Sequence, residues 1–513
     1  MSFTPTEAID RLDPKKWAST PIETKLDLLH KIRENIIYEE LAHSDTKMKN
    51  SRIDELYTTP ESLVATVVPL ASNVTASIDL YDYILEHGKM PEANEITKIN
   101  ENIYDIFVYP RTTKDKILSA TQKHILRVKE PVQKNPISKE GIIAVLAGNY
   151  SSSLEMIKAL FYDNCCVVHK PHHLNEETDV IREKILQPLV EYGAVSFISP
   201  SRELVKDTRL KKIYFTGADT AQKIMSTDTE FISECGNNPC IIVPDRPWTE
   251  KEMKHQAIQI VTIGKLNGAV CGRVQTIVTS KHRPQREAFL KHLEDAIKEH
   301  TPSAGSYYPS DETWETFKEA HPEVILQPET RKASDFMFIK GVSEDSFAVE
   351  NEAFCQIMSE VPLDVPATAE EFLPYATTFC NTKLLTLCAV LVDPDTLKAN
   401  KDIVDQAITD LEYGGISINT MPPFIFLSPY LTWGGNEEGK EFVSNGNFGN
   451  ALCFENVEKS ILRDDFMSMG HMMNVNKHSM QNLSENMAHY SNTPSRNLFK
   501  LLAIVGSFRG KDF

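Results

Sequence analysis

From residue 141 the chain switches to short apolar runs alternating with helix-length stretches, and this constrains its fold more than any other feature. "GIIAVLAGN" (141–149) reads as a buried strand, followed by a serine-led helix over 151–164, and "CCVVHKP" (165–171) as a second strand. A helix over 175–193 places Ile181, Ile185 and Leu189 on one face. Strands at 194–199 and 211–217, a helix at 218–225 and a strand at 240–244 continue the alternation. Parallel neighbours need a crossover of about a dozen residues, so the pattern predicts an α/β fold with a doubly wound parallel sheet. Such sheets bind ligands beyond the carboxyl ends of their strands, where Asn149, Lys170 and Gly217 fall.

The chain is longer than one ordinary core, at 513 residues. Its first hundred residues are helix-rich, with Leu26, Leu29, Ile32 and Ile36 at helical spacing and a second long helix over 61–88. A second α/β unit runs from about 250 to 425. Beyond 426 the chain is loop-rich and then extended, as an arm reaching a neighbour would be. With 54 basic and 72 acidic residues the net charge is −18, which argues against a nucleic-acid partner. No apolar run approaches the ~18–20 residues of a membrane span, so no membrane partner is expected. The first residues carry Glu7, Asp10 and Asp13 without a signal-peptide core. Nine scattered cysteines outline no disulfide framework, and a cytoplasmic location is expected.

"KLNGAVCGRVQTIVTSK" (265–281) places Cys271 between a helix-like and a strand-like run, with Gly268 before it and Gly272 after. A cysteine usually just packs, but a nucleophile belongs where the backbone is bare enough for substrate to approach. In "SECGNNPCIIVPD" (233–245), Glu234 opens a turn before a strand and is a candidate general base. Asn149 at a strand end is a candidate oxyanion donor, although asparagine's commonest use is in turns. Lys170 is placed to reach ribose hydroxyls or a phosphate. His169, His172 and His173 lack partners at ligand spacing, so no metal site is assigned. "GNFG" (446–449) lacks the strand-then-helix context of a phosphate loop.

Taken in order, Asn149, Lys170, Phe215–Thr216–Gly217, Glu234, Cys271, and Glu352 with Phe354 resemble the aldehyde dehydrogenase superfamily over about residues 20–465. "KKIYFTGADTAQKI" is similar to the family's "FTGS" strand and helix, "ECGNNPCIIV" to "ELGGxxPxIV", and "NGAVC" to "GQxC". "NEAFCQIMSEV" resembles "EExFGPV", and "GGISIN" and "WGG" resemble the late elements. Departures mark a divergent branch. Ala269 and Gly268 precede Cys271 without the family's glutamine, and "FCQ" replaces "FGP". The turn after Glu234 is one residue short, which leaves Ser233 open as occupant of the base position. His173 stands where NAD-preferring members carry a glutamate, so NAD and NADP both stay open.

The resemblance implies a Rossmann-type dinucleotide-binding domain (1–120 and 141–236) and a catalytic domain carrying the thiol (237–425). Bridging, oligomerising segments and a C-terminal tail (121–140 and 426–513) complete it. It implies NAD(P)-dependent oxidation of an aldehyde through a cysteine thiohemiacetal and thioester, by a homodimer or homotetramer. Cys271 would be the nucleophile, Asn149 the oxyanion donor and Glu234 the base. Lys170, Phe215, Thr216, Gly217, Glu352 and Phe354 would bind the cofactor. Two alternatives stay open: a CoA-acylating dehydrogenase or acyl-thioester reductase, and a catalytically silent nucleotide-binding oligomer.

Overall fold

Two sheets organise the chain. The computed structural model describes residues 3–50, 58–119, 121–148, 153–172, 175–199, 201, 203–216, 230–234, 238–264, 271–299, 310–324, 326–327, 336–382, 387–434, 446, 448–468, 478–494 and 498–507. In chain order the strands are β1 (Glu95–Asn100), β2 (Ile103–Tyr109), β3 (Lys123–Val128), β4 (Ile142–Leu146), β5 (Cys166–Lys170) and β6 (Val195–Phe197). Next come β7 (Leu210–Thr216), β8 (Glu230–Glu234), β9 (Pro239–Ile242), β10 (Thr276–Ser280), β11 (Leu326–Gln327) and β12 (Phe336–Ile339). The last are β13 (Ile357–Leu363), β14 (Leu387–Leu391), β15 (Gly415–Ile418), β16 (Thr432–Trp433), β17 (Phe448–Gly449) and β18 (Val457–Arg463).

One sheet has the order β6-β5-β4-β7-β8, and each neighbouring pair is parallel. β4 is buried along its whole length, as a strand covered on both faces must be. The helix Ser153–Phe161 is also buried throughout, held between β4, β5 and the long helix Val68–His87. The doubly wound pattern read between 141 and 217 is therefore present. β8 adds a fifth strand that the reading did not include. The strand expected at 240–244 appears as β9, but in the other sheet.

That second sheet runs β1-β2-β3-β18-β15-β14-β9-β10-β13-β12-β11. From β18 to β12 every pairing is parallel. β3, β2 and β1 extend it antiparallel from β18, and β11 closes the other edge antiparallel to β12.

Several boundaries differ from the periodicity reading. The helix expected over 175–193 is two, Glu176–Ile185 and Gln187–Tyr192, because Pro188 lacks the N–H to continue the first and suits the start of the second. The stretch 20–42 likewise divides into Ile22–Asn35 and Tyr38–Asn50, with Ile36 extended between them. The loop-rich stretch after 426 ends in the extended β18, which pairs with β3 of the same chain, and two helices follow. The helices His478–Asn492 and Leu498–Ser507 pack on one another, and the first also packs on Val68–His87. "GNFG" is no phosphate loop: β17 pairs with β16, and a Cβ on Gly449 would lie 1.8 Å from the Leu431 carbonyl oxygen. The expectation about apolar runs also needs correction. Thr59–His87 is one helical stretch long and apolar enough to cross a membrane, yet it is largely buried inside the fold, as a core helix is.

Candidate active site

The carboxyl edge of the five-stranded sheet collects several of the candidate residues. Lys170, the last residue of β5, pairs with Leu146 at the end of β4, which pairs in turn with Phe215 in β7. Thr216 ends β7 opposite Glu234, which ends β8. Parallel register alone thus sets Lys170, Phe215, Thr216 and Glu234 along one rim. Lys170 and Phe215 are half-buried, and the Lys170 carbonyl accepts from the Ala147 N–H at 3.0 Å. Asn149 and Gly217 lie outside the described residues, as does His173.

Cys271 lies on the opposite kind of edge. It precedes β10, among the residues that lead into the amino ends of β9, β10, β13 and β14. The thiol-bearing residue is half-buried and packs on an apolar cluster containing Leu154, Leu387, Ile425 and Phe448, where Phe424, Phe426 and Tyr430 are also half-buried. Gly272 has no room for a side chain, since a Cβ there would lie 2.8 Å from Pro423. The glycine after the cysteine is thus required by close approach of another segment.

Asn238 anchors this turn. Its side-chain amide donates to the Cys271 carbonyl and, at 3.0 Å, to the Arg273 carbonyl, and its side-chain oxygen accepts from the Leu387 N–H at 3.1 Å. Asn238 is buried, so each bond replaces one that water would otherwise make. Asn238 lies only four positions after Glu234, and a fully extended chain spans at most about 14 Å over that length. The end of β8 and the anchor of the cysteine turn are neighbours by covalent necessity.

Glu352 and Phe354 are half-buried in the segment before β13, and Phe354 takes a left-handed backbone with φ 45°. Arg273, 3% exposed, donates to the Ile357 carbonyl at 2.6 Å. Burial lowers its guanidinium below the ordinary range, while the Cys355 thiol and the Glu352 carboxylate act in the opposite sense. Arg273 therefore links the cysteine turn electrostatically to Glu352. Sequence reasoning missed Asn238, Arg273 and Gln275. Among the described residues no group of three or more His, Cys, Asp or Glu could hold a metal ion, and His169 faces Asp179 at 3.6 Å instead.

The fold these sheets build is that of the aldehyde dehydrogenases. Solved structures of such enzymes superpose along almost the whole chain. An NADP-dependent glyceraldehyde-3-phosphate dehydrogenase from Bacillus halodurans, complexed with NADP, matches with a TM-score of 0.58 at 14% identity, over 90% of this chain and 92% of its own. An NAD-dependent aldehyde dehydrogenase from Sinorhizobium meliloti matches with a TM-score of 0.59 at 16% identity, over 90% and 86%. A betaine aldehyde dehydrogenase from Staphylococcus aureus, in complex with NAD+, matches with a TM-score of 0.59 at 16% identity, over 90% and 87%. By sequence, no protein-family model and no curated protein matches the chain. The fold agrees with the resemblance carried by the motifs, and the low identity with a divergent branch.

Proposed function

We propose that the chain is an NAD- or NADP-dependent aldehyde dehydrogenase with Cys271 as its nucleophile. One observation carries this reading: the half-buried Cys271 turn is bonded to Asn238, four residues on from Glu234 at the rim shared with Lys170 and Phe215. The solved enzymes of this fold, crystallised with NADP or NAD+, support a nucleotide at that rim. Lys170 at that rim and Glu352 in the segment before β13 are polar groups suited to ribose hydroxyls, and Phe354 in the same segment offers an apolar face.

The Cys271 thiolate attacks the aldehyde carbon, and the carbonyl oxygen becomes an oxyanion held by the Asn149 amide and the Cys271 N–H. One such donor is worth about 3 kcal/mol. NAD(P), when bound, supplies the acceptor for the hydride that leaves this carbon. The resulting thioester on Cys271 is opened by water from which Glu234 takes a proton, and the C–S bond breaks to release the acid. Residues 1–120 and 141–236 serve as the dinucleotide-binding domain and 237–425 as the catalytic domain. Residues 121–140 and 426–513 serve as the bridging segments of a homodimer or homotetramer and the C-terminal tail.

Because the described surroundings of Cys271 are apolar and aromatic, the substrate is an aldehyde with an apolar body. The test is absorbance at 340 nm with NAD or NADP and a panel of aldehydes. Cys271→Ala should lower turnover by about a thousandfold or more. Benzaldehyde or hexanal should exceed glyceraldehyde 3-phosphate in kcat/KM by about tenfold or more. Turnover that needs CoA would replace hydrolysis with acylation. A folded chain that binds nucleotide and turns over none of the panel would refute the dehydrogenase reading.

A further inference from the structure

Gln275 lies four residues beyond Cys271, just before β10, and is 3% exposed. Its side chain satisfies three backbone groups of a segment more than seventy residues away. The amide donates to the Asn351 carbonyl at 2.7 Å and to the Ala348 carbonyl at 3.2 Å, and its oxygen accepts from the Ala353 N–H at 2.8 Å. These bonds flank Glu352 on both sides. The Gln275 backbone is held as well, its N–H donating to the Asn238 carbonyl at 3.0 Å and its carbonyl accepting from Ser359 at 2.8 Å. Arg273 adds a second tie to the same segment through the Ile357 carbonyl.

The turn that carries the thiol and the segment that carries Glu352 and Phe354 are thus fastened through one buried lattice: Asn238, Arg273 and Gln275. None of these three is needed as a reacting group. The short helix Phe347–Glu350 ends before Asn351, and from there to β13 the stretch, with a left-handed Phe354, lies outside helix and sheet. Without Gln275 the buried Ala348 carbonyl and Ala353 N–H and the half-buried Asn351 carbonyl would lose their partner, and the stretch would move to reach water.

We propose that Gln275 is a positioning residue that sets the Glu352–Phe354 segment against the Cys271 turn, so that nucleotide is bound in register with the thiol. This rests on the functional reading above. In Gln275→Leu, which keeps the side chain's bulk and removes its three bonds to the backbone and the 3.5 Å bond its oxygen accepts from Arg273, the Kd for NAD or NADP measured by calorimetry should rise about tenfold. Alkylation of Cys271 by iodoacetamide without nucleotide should stay within about twofold of wild type, because Asn238 still holds that turn. Hydrogen exchange should quicken at 348–354. If the leucine variant fails to fold, Gln275→Glu serves instead. It keeps the acceptor for Ala353, loses both donated bonds beside Arg273, and should raise the Kd in the same direction.

A folded variant with wild-type nucleotide affinity would overturn the positioning role. So would one in which alkylation falls as far as affinity, since that marks general loosening. Wild type that binds neither nucleotide would overturn the functional reading itself, and the positioning role with it.

Discussion

His124 is buried in β3, its ring 2.7 Å from the Ser428 hydroxyl and 4.7 Å from the Tyr109 ring centre. Burial pushes its imidazole down to about 3 from the ordinary 6.5. Between those values the unfolded chain takes up a proton that the folded chain refuses, so stability falls as pH drops from about 6.5 toward 3. His124→Gln should flatten the dependence of urea-unfolding free energy on pH across pH 6 to 4. The change is at most one proton's worth, about 1.4 kcal/mol per pH unit. An unaltered slope would show that His124 is not the group being titrated. The same scale shows what a sequence reveals of a site. Cys271 stands out because small residues flank it at a change of pattern. Asn238, Arg273 and Gln275 do not, because their partners lie 33, 84 and 76 residues away and only the folded chain brings them together.

Lys459 shows one element completing another. It lies within β18, 1% exposed, and its ammonium donates to the carbonyls of Ile408, Thr409 and Leu411 at the end of the helix Lys401–Asp410. That helix has no basic residue in its own last turn, so a residue about fifty positions later caps it. Lys459→Met should keep the bulk and leave these carbonyls unpaired, at a cost of about 2–3 kcal/mol, read as a lower denaturant midpoint with unchanged slope. Elements were legible where local composition dictates them. "IIAVL" is apolar enough to be a covered strand, whereas the division at Pro188 was hidden under an unbroken apolar period. β8, "EFISE", is charged at both ends and too short for periodicity to separate from a turn.

For the whole molecule, alternation made four strands of the five-stranded sheet legible, but nothing in it gave the order of the larger one. There β9, which precedes the cysteine in sequence, lies between β10 and β14, the latter nearly 150 residues later. Such order follows from long-range packing. If nucleotide binds the folded chain alone, NAD or NADP at a hundred times its Kd should stabilise the chain by about 2.7 kcal/mol, seen as a higher thermal midpoint. No shift with either nucleotide would count against binding. The step from Glu234 to Asn238 has a mechanical consequence. Where two bodies swing apart like the covers of a book, the far margins travel and the spine hardly moves. Here β8 ends at Glu234 and Asn238 follows so soon that the two must stay close, and the cysteine turn is tied to Asn238. Whatever motion the two sheets make relative to one another, the end of β8 and the anchor of the cysteine turn stay within that short span.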